Sequence, residues 1–137
     1  MTFLVDANIL SEPTRRSPNP KVVAWLRAQE SELVVDAVFG EILAGILALP
    51  PGRKRNQLQS WFDATIATMK CPPWDATVAR RWARLVLDLK AKGKTLPVID
   101  SMIAATALAH RLTLATHNVR DFQNARVAII DPFADVH

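Results

Sequence analysis

Short apolar runs rich in β-branched residues alternate along this chain with longer stretches of helical periodicity, and that alternation limits the fold more than any other feature. Residues 2–6, 32–36, 112–116 and 126–130 read as strands. Between them, helices are predicted over 20–29, 37–48, 54–69, 76–92 and 98–110, with a helical turn near 119–123. Strands separated by helices cannot close as hairpins. They call for an α/β fold with a doubly wound, open and mainly parallel sheet, covered by helices on both faces. In such a sheet the ligand crevice lies outside the carboxyl ends of the strands.

Local signals support the segmentation. Val22, Val23, Trp25 and Leu26 supply one helix face, and Val38, Ile42 and Ile46 recur at i, i+4, i+8 in the next. Pro50-Pro51-Gly52 stops that helix. The next buries Leu58, Trp61, Phe62, Thr65, Ile66 and Met69, before the stiff connector Cys71-Pro72-Pro73-Trp74. Asp75 suits the N-cap of a long helix with the stripe Val78, Trp82, Leu85, Val86 and Leu89, and Gly93 suits its terminator. The helices over 54–69 and 76–92 fall together between strands and are expected to form an antiparallel pair packed to one side.

The 137 residues are read as a single domain, 1–137, long enough to bury a core. No apolar run reaches the roughly 18 residues of a membrane span, and no charged n-region precedes the first strand. Cys71 is the sole cysteine, which excludes an internal disulfide framework, suits a reducing cytoplasm and is expected to be an inert, partly buried thiol. The net charge of +4 contrasts with the acids described next. A basic exterior around an acidic pocket suits a polyanionic substrate, although such a charge is also ordinary for a small protein.

Four acids fall where the topology would gather them. Asp6 ends the first strand, Glu41 lies in the helix after the second, Asp100 opens the alanine-rich helix, and Asp121 follows the third strand. Taken singly, each reads as readily as a helix cap or a solvated charge. Together, half-buried carboxylates repel, and a hard divalent cation that prefers oxygen ligands would relieve that repulsion. Thr116 and Asn118 could orient a carboxylate or a water beside Asp121, and Asn118 could equally cap the following turn. Asp36, Asp63, Asp75 and Asp88 read as caps or exposed helix faces. The three histidines lack zinc-ligand spacing, the four glycines form no phosphate loop, and neither Ser11 nor Ser101 has a catalytic partner nearby.

Several segments resemble the PIN-domain ribonucleases, specifically the VapC/FitB-like toxins of bacterial toxin–antitoxin pairs. They are Leu4-Val5-Asp6-Ala7-Asn8-Ile9-Leu10-Ser11-Glu12, then Gly40-Glu41-Ile42 with Gly45, then Leu96-Pro97-Val98-Ile99-Asp100-Ser101-Met102-Ile103-Ala104-Ala105-Thr106-Ala107, and finally the run from Leu112 to Phe122. The resemblance covers essentially the whole chain. It implies a Mg²⁺-dependent endoribonuclease, with Mn²⁺ able to substitute, in which Asp6, Glu41, Asp100 and Asp121 are the catalytic, metal-binding acids. Asp6 and Asp100 would be the direct ligands, and Asn8, Thr116 and Asn118 would support them. Arg53, Arg55 and Arg120 are substrate-binding candidates, with Arg15, Arg16 and Lys54 as further basic positions. The resemblance also implies a homodimer and a higher complex with a cognate antitoxin that inserts a C-terminal segment into the site.

Two positions depart from the family pattern. Val38 stands where a Thr is frequent, and His117 stands where Arg or Lys is common between Thr116 and Asn118. Two other readings remain: a PIN-fold nuclease acting on DNA, and a non-catalytic α/β regulatory module of the receiver type. A receiver expects adjacent acids after its first strand and a Lys after its last, whereas Asp6 has no acidic neighbour and residues 126–130 run into Asp131-Pro132.

Overall fold

A computed structural model describes residues 1–134. Four parallel strands, β1 (Phe3–Val5), β2 (Leu33–Val34), β3 (Thr113–Ala115) and β4 (Ile129–Ile130), lie in the order β2-β1-β3-β4. Helices α1 (Ala7–Leu10), α2 (Pro20–Ala28), α3 (Gly40–Leu47), α4 (Arg53–Ala64), α5 (Ala76–Ala91), α6 (Val98–Ala109) and α7 (Val119–Phe122) connect them. β1 is central, with Leu4 level with Val34 on one side and with Leu114 on the other. The chain passes from β1 to β2 and then crosses to β3 on the opposite side. The direction of winding therefore reverses beside β1, which places the ligand crevice at its carboxyl end.

Side chains alternate across each strand, so this register sorts the core into two layers. Leu4, Val34 and Leu114 face Val78, Leu85 and Leu89 of α5, Ile103, Ala104 and Ala107 of α6, and Phe122. Phe3, Val5 and Ala115 face Ile9, Val22, Ile46, Phe62 and Ile66. Trp25 meets Phe3 edge-on, with centroids 5.0 Å apart.

This two-sided core corrects one expectation. α4 and α5 do not form an antiparallel pair on one side, because α4 belongs to the layer with α3 and α5 to the layer with α6. The Pro72-Pro73 connector carries the chain from one face to the other, and an isolated parallel bridge from Lys70 to Val34 extends the β2 edge on the way.

Side-chain hydrogen bonds explain why other boundaries shifted. α3 begins at Gly40 rather than 37 because the Asp36 carboxylate takes the Val38 N–H at 2.8 Å, folding residues 36–39 into a turn. Val38 consequently packs with the α5–α6 layer, whereas Ile42 and Ile46 join the other. α4 ends at Ala64, where the Thr65 hydroxyl donates back to the Trp61 carbonyl at 2.6 Å, and Thr65 is exposed rather than buried. Val86 and Cys71 are likewise exposed.

The ends of α5 fall as expected. Asp75 Oδ1 accepts the Val78 N–H at 3.1 Å, and Gly93 takes a left-handed φ of 68° as the Lys94 N–H closes on the Leu89 carbonyl at 2.8 Å. Replacing Asp75 with Ala should cost about 1 kcal/mol in urea unfolding, and Asn should restore most of it because it keeps an acceptor at the cap.

Candidate active site

The site forms where β1 and β3 end side by side. The Asp6 N–H donates to the Ala115 carbonyl at 2.9 Å, continuing the ladder one step beyond Val5. The Asp6 carbonyl then accepts from Ile9 and Leu10, so the chain turns at once into α1. Asp6 is the N-cap residue of that helix by position, but its side chain makes no capping bond. Instead Oδ2 accepts the hydroxyl of Thr116 at 2.9 Å.

Thr116 is fully buried and closes a small network. Its hydroxyl oxygen accepts the Asn118 N–H at 3.0 Å, and the Asn118 amide donates to Asp121 Oδ2 at 2.6 Å. Two residues after β3, Thr116 and Asn118, thereby hold two of the four acids. Asn118 is the N-cap residue of α7 by position, as its alternative reading expected, but its side chain makes no capping bond.

Asp100 enters from the first turn of α6, just past Pro97, and is half-buried without capping the helix. The adjacent Ser101 hydroxyl accepts the Trp82 indole N–H at 2.8 Å, which locks α6 to α5 beside Asp100. Burial raises the Asp100 carboxyl above its usual range, and the charges of Asp6, Asp121 and Glu41 raise it further. Asp100 therefore lies within electrostatic reach of the other three acids. Glu41 points from the first turn of α3 and is exposed, as is Asp121, which was expected to be half-buried.

A fifth carboxylate joins them. Asp36 is only 6% exposed and lines a small pocket with Asp6, Glu41 and Ile103. Its pKa is pushed up to about 6, first by burial and then by the charges of Asp6 and Glu41, against the lowering effect of the Val38 N–H. Asp36 does cap a turn, as its sequence context indicated. Its second role was visible too, since Asp36 ends the apolar run Leu33-Val34-Val35 just as Asp6 ends Phe3-Leu4-Val5.

Other sequence candidates are placed differently. Asn8 is exposed on α1 and has no side-chain hydrogen bond to the acids among the described residues. Arg120 is exposed beside Asp121 on α7. Arg53 and Arg55 open α4 beyond the far end of α3 from Glu41, which is about 12 Å of helix away. Arg15 lies 3.5 Å from the buried Glu12, whose other oxygen accepts the Asn19 N–H at 3.1 Å, so this acid braces the loop before α2.

The donor set fits a hard cation, since it is made of carboxylate oxygens with no thiolate or imidazole among them. As placed, no three acidic, histidine or cysteine side chains among the described residues stand in joint coordinating geometry.

The sequence matches the PIN domain family over residues 3–128, and the chain belongs to that family. It is 35% identical to toxin FitB of Neisseria gonorrhoeae, over 97% of this chain and 99% of that protein. It is 32% identical to the VapC ribonuclease Y4jK of Sinorhizobium fredii, over 96% and 97% respectively. The fold superposes on a solved structure of FitAB bound to a DNA fragment with a TM-score of 0.92 and 33% identity, covering 99% of each chain.

The raised carboxyls set a pH dependence of stability. A folded-state pKa above the unfolded value means that the folded protein holds the proton more tightly, so stability falls as pH rises from about 4 through about 6. In buffer free of divalent cations the protein should unfold at lower urea at pH 8 than at pH 5. Asp36→Asn should flatten that difference and add at most about 3 kcal/mol at pH 8. An unchanged pH profile in the Asn variant would show that Asp36 titrates normally.

Proposed function

We propose that the chain is the toxin of a toxin–antitoxin pair, acting as one PIN domain that cleaves RNA endonucleolytically with Mg²⁺, or Mn²⁺ in its place. The observation that supports this reading most is that Asp100, half-buried in the first turn of α6, feels the charges of Asp6, Asp121 and Glu41, while Asp6 ends β1 beside Thr116 at the end of β3. Relatives named as VapC ribonucleases, and the similarity to toxin FitB, support it.

Asp6 and Asp100 would hold the ion directly, with Glu41 and Asp121 completing its surroundings directly or through water. Bound there, a hard divalent cation supplies Lewis acidity toward a phosphodiester and lowers the pKa of water. The protein contributes orientation. Thr116 fixes one oxygen of Asp6 and Asn118 fixes one of Asp121, which would orient both carboxylates toward an ion or its water. The Trp82–Ser101 bond keeps α6, and with it Asp100, in place. Arg120, next to Asp121 on α7, would be a candidate to meet a phosphate, whereas Arg53 and Arg55, at the start of α4, would reach only a distant part of a long substrate.

The antitoxin would cover the acids with a C-terminal segment, within a complex built on a toxin homodimer; the likeness to the FitAB structure supports a partner protein. No helix among the described residues is long and apolar enough to cross a membrane, which fits action in the cytoplasm.

Purified protein free of antitoxin should cleave RNA with Mg²⁺ or Mn²⁺ and stop with chelator. Asp6→Asn and Asp100→Asn should each lower cleavage by at least about 100-fold. Thr116→Val should lower it by about 10-fold or more, with Thr116→Ser recovering much of the loss. Cleavage that persists in chelator or in the Asn variants would rule out the metal mechanism. Cleavage confined to DNA would move the substrate to the alternative nuclease reading.

A further inference from the structure

His117 is the group beside the acids that the reading above leaves without a task. Its backbone lies at the carboxyl end of β3, between Thr116, which holds Asp6, and Asn118, which holds Asp121, and its side chain turns toward the end of β4. Its ring is held on two sides. Nδ1 lies 3.1 and 3.3 Å from the two carboxylate oxygens of Asp131. The ring centroid lies 4.3 Å from that of Phe133, at an interplanar angle of 40°.

Both holders are themselves anchored. Asp131 Oδ1 accepts the Phe133 N–H at 2.9 Å, and Phe133 packs against the core layer that contains Val5 and Ala115. Despite these contacts the His117 side chain is still 62% exposed. A surface imidazole that served only to pair with Asp131 would not need an aromatic ring seated on the core beneath it. The ring and the acids share the carboxyl end of the parallel sheet, and a fixed, open aromatic face is what unstacked bases of single-stranded RNA bind. Fixing the ring in advance also reduces the entropy lost when a base settles on it.

We propose that the exposed face of the His117 ring stacks a nucleobase of single-stranded RNA adjacent to the scissile phosphodiester, with Asp131 and Phe133 as positioning residues for that ring. This inference rests on the ribonuclease reading above. It assigns part of the substrate contact to the position at which this chain carries an imidazole in place of a flexible cationic chain. A base on this surface is read by its π-face, so the contact favours unpaired nucleotides without demanding one base.

The test uses a single-stranded RNA oligonucleotide cut by the wild-type protein, and copies made abasic at each nucleotide flanking the cut. Steady-state cleavage is measured for wild type, His117→Ala, His117→Phe and Asp131→Asn. His117→Ala should raise KM about 10-fold with little change in kcat. His117→Phe, which keeps a face and loses the ring nitrogens, should stay close to wild type. Asp131→Asn should fall between the two. One abasic position should cost the wild type as much as His117→Ala does, and should cost the Ala variant nothing further.

An unchanged KM in His117→Ala overturns the inference. So does a Phe variant as weak as Ala, which would mean a phosphate contact through the imidazole edge, and so do abasic losses that add to that of His117→Ala. Should His117→Ala fail to fold by thermal melting, the Phe variant and the abasic series decide alone. A wild-type protein that cuts no RNA overturns the ribonuclease reading and this inference together, whereas a cutting wild type with an indifferent His117→Ala overturns this inference only.

Discussion

The parallel pairing of β1 with β3 is the constraint on which the rest of the molecule hangs. With Leu4 level with Leu114 and Val5 with Ala115, the next residue on each strand is Asp6 and Thr116, and the two meet through a hydrogen bond of 2.9 Å. A slip of one residue would turn Leu4 and Val5 to the wrong layers and part that acid from the hydroxyl. The hydrophobic register that builds two core layers is thus the same register that builds the site. Stability and chemistry cannot be separated along these few residues.

Around that seam the protein arranges carboxylates against their own electrostatics. Asp36 and Asp100 both sit in surroundings that disfavour the ionised form, and each feels the charge of Asp6 and Glu41. Such a gathering persists only because rigid elements bring the acids in from separate segments: the ends of β1 and β2 and the first turns of α3 and α6, with α7 adding Asp121. The opposing strain is electrostatic rather than steric, of the kind that the cation of the proposed function would relieve.

Much of this was legible in the chain. Periodicity marked every strand and every longer helix to within a few residues, and Asp75 and Gly93 marked the ends of α5 because capping is local chemistry. Layer assignment was not legible. α4 and α5 are adjacent in sequence and both amphipathic, but which face of a sheet a helix covers depends on the crossover, which no local pattern records. Asp36 shows the converse. Its signal matched that of Asp6, and reading it as a cap was correct but incomplete, because one carboxylate can satisfy a turn and still present its charge to a pocket. The Asp131–His117–Phe133 arrangement joins residues 14 and 16 positions apart, so only the fold could reveal it.

The alanine run in α6 has an evolutionary consequence. Ala104, Ala105 and Ala107 are fully buried, so α6 lies as close to its neighbours as side chains without a second carbon allow. Growth at any of them would push the helix outward and carry Asp100 with it. Under the proposed function, enlarged alanines in α6 are a second route to inactivity beside changes to the acids themselves. The chain can be inactivated from its interior as well as from its surface, and a lineage that keeps the acids has not necessarily kept the activity.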